Sequence, residues 1–193
     1  YAALYYPWIN VFDTAIVSTR LVPPGGHIAG IYARTDFERG VHKSPTNQVI
    51  QGVVSLERTI TNSEQNQLNT QGINCIRAFV GRGIMVWGAR TLSNDPEWKY
   101  ISVRRLLIYL EKSIRKGIQW AIFEPNNEVT WIKIRSTITN FLTQTWRDGA
   151  LMGIKPEEAF YVKCDRTTMT QNDINNNRLI VLVGVAPIKP AEF

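Results

Sequence analysis

The sequence predicts an α+β protein: a mixed, largely antiparallel β-sheet packed against two long helices, with extended terminal arm segments. Three observations carry that reading. Apolar residues recur at spacings of three and four through 101–121 and again through 128–150, the period of a helix with one buried stripe. Runs rich in Val, Ile and aromatic residues at 73–80, 84–89, 159–164 and 178–185 are separated by turn-forming residues, as strands are. Residues 1–17 are aromatic and apolar but interrupted by Pro7, which suits an extended segment at a sheet edge. With 193 residues, 44% hydrophobic and 20% charged, the chain is long enough for a substantial core. No apolar run is long enough for a bilayer-spanning helix.

Taken in order, residues 1–22 form an N-terminal arm, continued by Ile16-Val17-Ser18 and Arg20-Leu21-Val22 into the stop Pro23-Pro24-Gly25-Gly26. A helix follows, with Pro24 near its first turn, where a missing N–H costs nothing. Ile28, Ala29, Ile31, Tyr32 and Ala33 give it an apolar face, and Gly30 leaves room for another backbone. Arg34, Asp36, Glu38, Arg39 and Lys43 make a charged exit that closes at Ser44-Pro45. Val49 to Ile60 holds a strand or an irregular connection. Thr61 with Glu64, and Asn62 with Gln65, have capping-box spacing, so a short polar helix runs to about Thr70 and stops at Gly72. Gly81-Arg82-Gly83 joins two strands as a tight hairpin. The first long helix carries Val103, Leu107, Leu110, Ile114, Ile118 and Ala121 on one stripe. Asn126 or Asn127 caps the second, whose apolar side is Trp131, Ile134, Ile138, Phe141 and Leu142. Ala159 to Cys164 reads as a strand and Asp165 to Asn177 as a polar loop. Arg178 to Val185 is the strongest strand, too apolar to be other than central, with a bulge available at Gly184.

A net charge of +6 and a pI near 9.5 favour an acidic partner (nucleic acid, an anionic membrane or an acidic protein surface) or simply a basic solvated surface. The charge is spread, with no Lys/Arg-rich block. Cys75 and Cys164 lie far apart in apolar runs and read as buried thiols. His27 and His42 sit in no metal-binding spacing, and no C-x-x-C occurs. Gly81-Arg82-Gly83-Ile84-Met85-Val86 starts like a dinucleotide fingerprint but has Val86 where the third glycine belongs. No nucleophile motif is present. The residues therefore nominate no catalytic group, cofactor or metal, and the chain is not read as an enzyme. Charge and aromatics alone leave a basic nucleic-acid-binding module as the alternative.

Several runs taken together carry a resemblance. They are residues 23–36 (Pro-Pro-Gly-Gly-His-Ile-Ala-Gly-Ile-Tyr-Ala-Arg-Thr-Asp), 39–47 (Arg-Gly-Val-His-Lys-Ser-Pro-Thr-Asn), Leu68-Asn69 and Gly72-Ile73-Asn74. Further along come Trp87 to Leu92, Tyr100 to Arg105, Phe123-Glu124-Pro125-Asn126 and the closing Ala186 to Phe193. In this order they resemble the C-terminal domain of contractile phage tail sheath proteins, a family that includes the sheaths of R-type pyocins and of phage-tail-like contractile injection systems. The resemblance implies a structural subunit that polymerises with copies of itself as hexameric rings and a helical polymer around an inner tube protein. Contraction then drives the tube through a target envelope. It further implies baseplate and terminator proteins as partners, no nucleic acid, no membrane in the sheath itself and no cofactor. Assembly would take place in the bacterial cytoplasm, as part of a virion tail or of a released or anchored particle. Residues 23–193 would be the sheath domain of a longer protein, with a variable outer domain before it and a further arm strand after it. In the family, arms add strands to neighbouring subunits. That role falls here on Tyr5, Tyr6, Trp8, Ile9 and Val11, and on Leu179, Val181 and Val183. Arg34, Arg39 and Lys43 are the candidates to face the tube, with Arg34 pairing with Asp36 or Glu38 as the local alternative. Arg90, Arg104 and Arg105 are candidates for subunit contacts or for local ion pairs.

Overall fold

The computed structural model describes residues 2–191; Tyr1, the first residue of the expected arm, and Glu192 and Phe193, the end of the closing run, lie outside them. The chain divides into two units, Tyr1–Arg105 with Lys189–Phe193, and Leu106–Ile188.

In the first unit, proline and glycine cut the chain into short pieces. The strands are β1 (Leu4–Tyr6), β2 (Ile9–Asp13), β3 (Ser18–Val22), β4 (Gln48–Val49), β5 (Val53–Leu56), β6 (Ile73–Phe79) and β7 (Gly83–Trp87), and the helices are α1 (Gly25–Arg39) and α2 (Asn62–Thr70). One sheet has the order β1-β6-β7-β4 and the other β3-β2-β5. β1 runs parallel to β6, with Leu4 opposite Ile73; the remaining pairings of this unit are antiparallel. The aromatic N-terminal segment therefore changes sheet at Pro7. Ile9, Ile28, Ile31, Ile50, Ile76 and Val86 make the core, which joins α1 to both sheets. Thr61 caps α2 in a capping box with Glu64, and α2 buries none of its residues, as its single Leu68 predicts.

The second unit is built on helices. α3 (Ile101–Gly117) gives its first residues to the first unit and continues into this one, ending in a 3-10 turn over Gln119–Ala121. α4 (Glu128–Arg147) follows, capped by Asn127, whose side chain accepts from Thr130 N. Then come α5 (Pro156–Ala159), β8 (Phe160–Lys163), α6 (Gln171–Asn175) and β9 (Leu182–Val185). Leu106, Leu110, Ile134, Ile138 and Leu142 from the two long helices pack with Phe160, Val162, Val183 and Val185 of the antiparallel β8–β9 pair. The α+β class and the two long helices packed on antiparallel strands thus stand, but the described residues form three sheets instead of one.

Several local expectations are corrected. Ala29 and Ala33 are exposed; α1 buries Ile28, Ile31 and Thr35, the residues at helical spacing. A side chain at Gly30 would meet nothing within 4 Å, so no backbone from beyond α1 approaches it among the described residues. The segment 165–177 contains α6, started by a second capping box of Thr170 with Asp173. Only Leu182–Val185 of the run 178–185 is a strand, and its sheet has two strands, so it is not central. The backbone before it is spent locally. Arg178 N donates to Asp173 O at 2.8 Å, Arg178 O accepts from Asn126 Nδ2 at 3.0 Å, and Ile180 O accepts from Thr168 Oγ1 at 3.1 Å. Gly184 is no bulge: it pairs in register with Tyr161, and a Cβ there would lie 2.1 Å from the Tyr161 ring.

Candidate assembly surface

The charged exit of α1 is partly consumed inside the first unit. The Arg34 guanidinium donates to Val49 O at 2.9 Å and to Gln48 Oε1 at 3.2 Å, so it pairs with neither Asp36 nor Glu38. Asp36 instead receives both terminal nitrogens of Arg105, at 2.7 and 2.6 Å. The fork geometry of guanidinium and carboxylate makes this a strong, directional pair. Arg105 also lies over the Tyr32 ring, 4.6 Å from its centroid, and Tyr32 Oη shares a 2.6 Å hydrogen bond with Tyr5 Oη. Burial pushes the Tyr5 phenol well above the ordinary tyrosine range and also raises that of Tyr32, and the Asp36 hydrogen bond raises Arg105. A single polar chain thereby ties β1 to α1 and to the start of α3. Arg39, in the last turn of α1, is exposed, and Lys43 makes no ion pair among the described residues.

The other two candidate cations also have local work. Arg90 Nη1 donates to Asn69 O at 2.7 Å, and Arg104 stacks on the Trp98 ring with its Cζ 4.3 Å from the centroid. The structure thus brings Arg105 together with the exit of α1.

The strand candidates are distributed as follows. Tyr5 and Tyr6 lie in β1, an edge strand. Trp8 is exposed between strands, while Ile9 is wholly buried and Val11 half-buried in β2, which is central in its sheet. Leu179 and Val181 pack into the second unit ahead of β9, and Val183 lies in β9 itself. The outer sides of β1, β8 and β9 carry no partner strand among the described residues.

Among the described residues no cluster of His, Cys, Asp or Glu could hold a metal ion, both cysteines are buried free thiols, and no helix is long and apolar enough to cross a membrane. Asp36 as the Arg105 partner was missed in the sequence because 69 residues separate them.

Comparison with known proteins gives a consistent result. A family described as the phage tail sheath protein central domain matches residues 1–92, and one described as the phage tail sheath C-terminal domain matches residues 93–193. The tail sheath protein of Burkholderia phage BcepMu is 31% identical over 165 residues, covering 79% of this chain and 34% of the relative. That of Vibrio phage KVP40 is 30% identical over 178 residues, covering 90% of this chain and 26% of the relative. The chain thus spans about a quarter to a third of the length of these two relatives. Among solved structures, a chain of the anti-feeding prophage baseplate is 45% identical with a TM-score of 0.94, covering 99% of this chain and 52% of that one. A chain of the PVC sheath complex, an extracellular contractile injection system in the contracted state, is 41% identical with a TM-score of 0.94, covering 100% of this chain and 54% of that one.

Proposed function

This chain belongs to the phage tail sheath family, and from that premise we propose that it is the central and C-terminal part of a subunit that polymerises as hexameric rings around an inner tube and contracts to drive the tube through a target envelope. Its role is structural and not enzymatic, like that of its tail sheath relatives. One observation carries the reading: the fold matches, over its whole length and at a TM-score of 0.94, a sheath chain solved in the contracted state. Its partners would be further copies of itself, the inner tube protein, and baseplate and terminator proteins. It would assemble in the bacterial cytoplasm as part of a tail particle.

The tube-facing role rests best on Arg39 and Lys43, which make no ion pair among the described residues; the Arg34 guanidinium is already engaged by Gln48 and Val49. Strand addition by arms from neighbouring copies would use the open sides of β1 and β9, where unpaired backbone groups offer a template. In this role residues 1–22 form the linking segment of the domain 23–193, with Tyr5 and Tyr6 at the receiving edge.

Negative-stain electron microscopy of the full-length protein expressed alone is the test. Hollow tubes or rings with sixfold end views are expected. A full-length protein that stays monomeric at high concentration and binds DNA with steep salt dependence would overturn the reading in favour of a basic nucleic-acid-binding module.

A further inference from the structure

We propose that the Phe123–Glu124 corner of one copy docks into the groove beside Trp87 of a second copy, a head-to-tail contact between identical chains. The inference rests on the sheath reading for its partner and deepens it by naming two surfaces.

The groove belongs to the first unit. It has a volume of about 320 Å³ and is lined by Lys43, Asn47, Gln65, Asn69 and Trp87, among others. Two guanidiniums stand at its rim through their hydrogen bonds to lining residues. Arg77 Nη1 donates to Gln65 Oε1 at 2.5 Å, and Arg82 Nη2 donates to Asn47 Oδ1 at 2.6 Å. Arg77 lies over the Phe79 ring at 5.3 Å, and Arg82 over Phe79 and Trp87 at 5.6 and 5.7 Å; those two rings are 4.7 Å apart. This places two cations on an aromatic pair. Neither has a carboxylate partner among the described residues. Such a site is complementary to a carboxylate carried next to an aromatic or aliphatic side chain.

The second unit presents that combination. Phe123 is fully exposed and held at φ 70, a conformation that bulky L-residues rarely adopt. Such an outlier is held by its surroundings at a cost and points to use. Around it in sequence Trp120, Ile122, Val129 and Ile132 are all exposed. The Glu124 carboxylate makes no hydrogen bond and no ion pair among the described residues. Other exposed carboxylates fit less well: Glu158 already accepts from Ile154 N at 2.9 Å, and Asp95 from Glu97 N at 2.9 Å. An aromatic anchor ringed by apolar side chains, with one charge beside it, is how an interface hot spot is built. The occupant is a second copy because the two surfaces are different and complementary. Different patches on one chain give the heterologous contact that closes into rings or runs on into helices, which a self-complementary patch cannot.

The test uses the full-length protein in two single-surface forms: Arg77→Glu with Arg82→Glu, which spoils the groove, and Phe123→Ala with Glu124→Ala, which spoils the corner. Circular dichroism confirms that both are folded. Each alone is expected to raise the concentration needed for polymer formation by about tenfold or more. Mixed together they retain one intact groove and one intact corner, and a one-to-one complex is expected by sedimentation. Glu124→Arg added to the groove-spoiled chain is expected to restore assembly to within about threefold of the parent, since the charges are then exchanged. Spoiled forms that assemble like the parent, or a mixture that stays monomeric, overturn the contact, as does loss of pairing in Glu157→Lys/Glu158→Lys but not in the corner variant. A parent that forms no polymer while the mixed variants still pair would sink the sheath reading and leave this contact standing.

Discussion

Asn74 shows how much one polar residue can organise. It is wholly buried in β6, where its Nδ2 donates to Leu4 O at 3.1 Å and to Arg90 O at 2.8 Å, and its Oδ1 accepts from Arg90 N at 2.7 Å. One side chain thus fastens β1 and the segment after β7 to the same strand. Asn74→Ala would leave these buried groups without partners and is expected to cost about 3 kcal/mol in a denaturant titration. The neighbouring glycines are there for clearance: a Cβ at Gly88 would lie 2.9 Å from Asn74 Cα, and one at Gly72, where φ is +76°, would lie 2.7 Å from Thr91 O. Gly72→Ala is expected to lose more than about 1 kcal/mol by the same measurement, because both its backbone angle and its space are wrong for a side chain. A polar residue within an apolar strand run was visible in the sequence. Its partners were not, because Leu4 and Arg90 lie 70 and 16 residues away and only the fold brings them near.

At the level of elements, what could be read from the sequence was what local chemistry decides. The Thr61–Glu64 box, the Gly72 stop, the hairpin at Gly81–Gly83 and the buried stripe of α4 all follow from spacing within one or two turns. The same spacing at Thr170–Asp173 was hidden inside a Thr/Asn-rich stretch that reads as a loop. Assigning all of 178–185 to a strand fails for the opposite reason: side chains from Asn126 and Thr168, distant in sequence, take the backbone groups that a ladder would have used. The candidate assembly surface was legible only in part, since a cation's availability depends on what folds beside it, as Arg34 and Arg105 show. For α4 the stripe makes a sharp contrast. Ile138 is buried in the core and Ile132 is exposed. Ile138→Ala should cost about 2–5 kcal/mol and Ile132→Ala less than about 0.5 kcal/mol, as thermal or denaturant unfolding of each variant will show.

For the molecule as a whole, surface carboxylates set the response to acid. Glu64 is held below the ordinary range by the Thr61 N–H and hydroxyl, Glu128 by Arg166, Asp165 by Thr167 and Asp173 by Thr170. Each gives up its proton more readily folded than unfolded, so the unfolded chain takes up more protons as pH falls. The stability they contribute is complete at neutral pH and is lost as pH drops from the usual carboxylate range through the lower folded values. Melting temperature should therefore fall steadily from about pH 5 to about pH 3, and Thr170→Ala should flatten part of that fall. A melting temperature that stays constant or rises over this interval would contradict the assignment.

The chain leaves the first unit at Arg105 and rejoins it at Lys189, so the second unit is an insertion within the first. A ribosome makes the chain from its N-terminus, and domains tend to fold as they emerge. Pro190 and Ala191, which help to line the groove beside Trp87, are therefore added after the whole of the inserted unit. Synthesis therefore completes the Phe123 corner before the groove has its full lining.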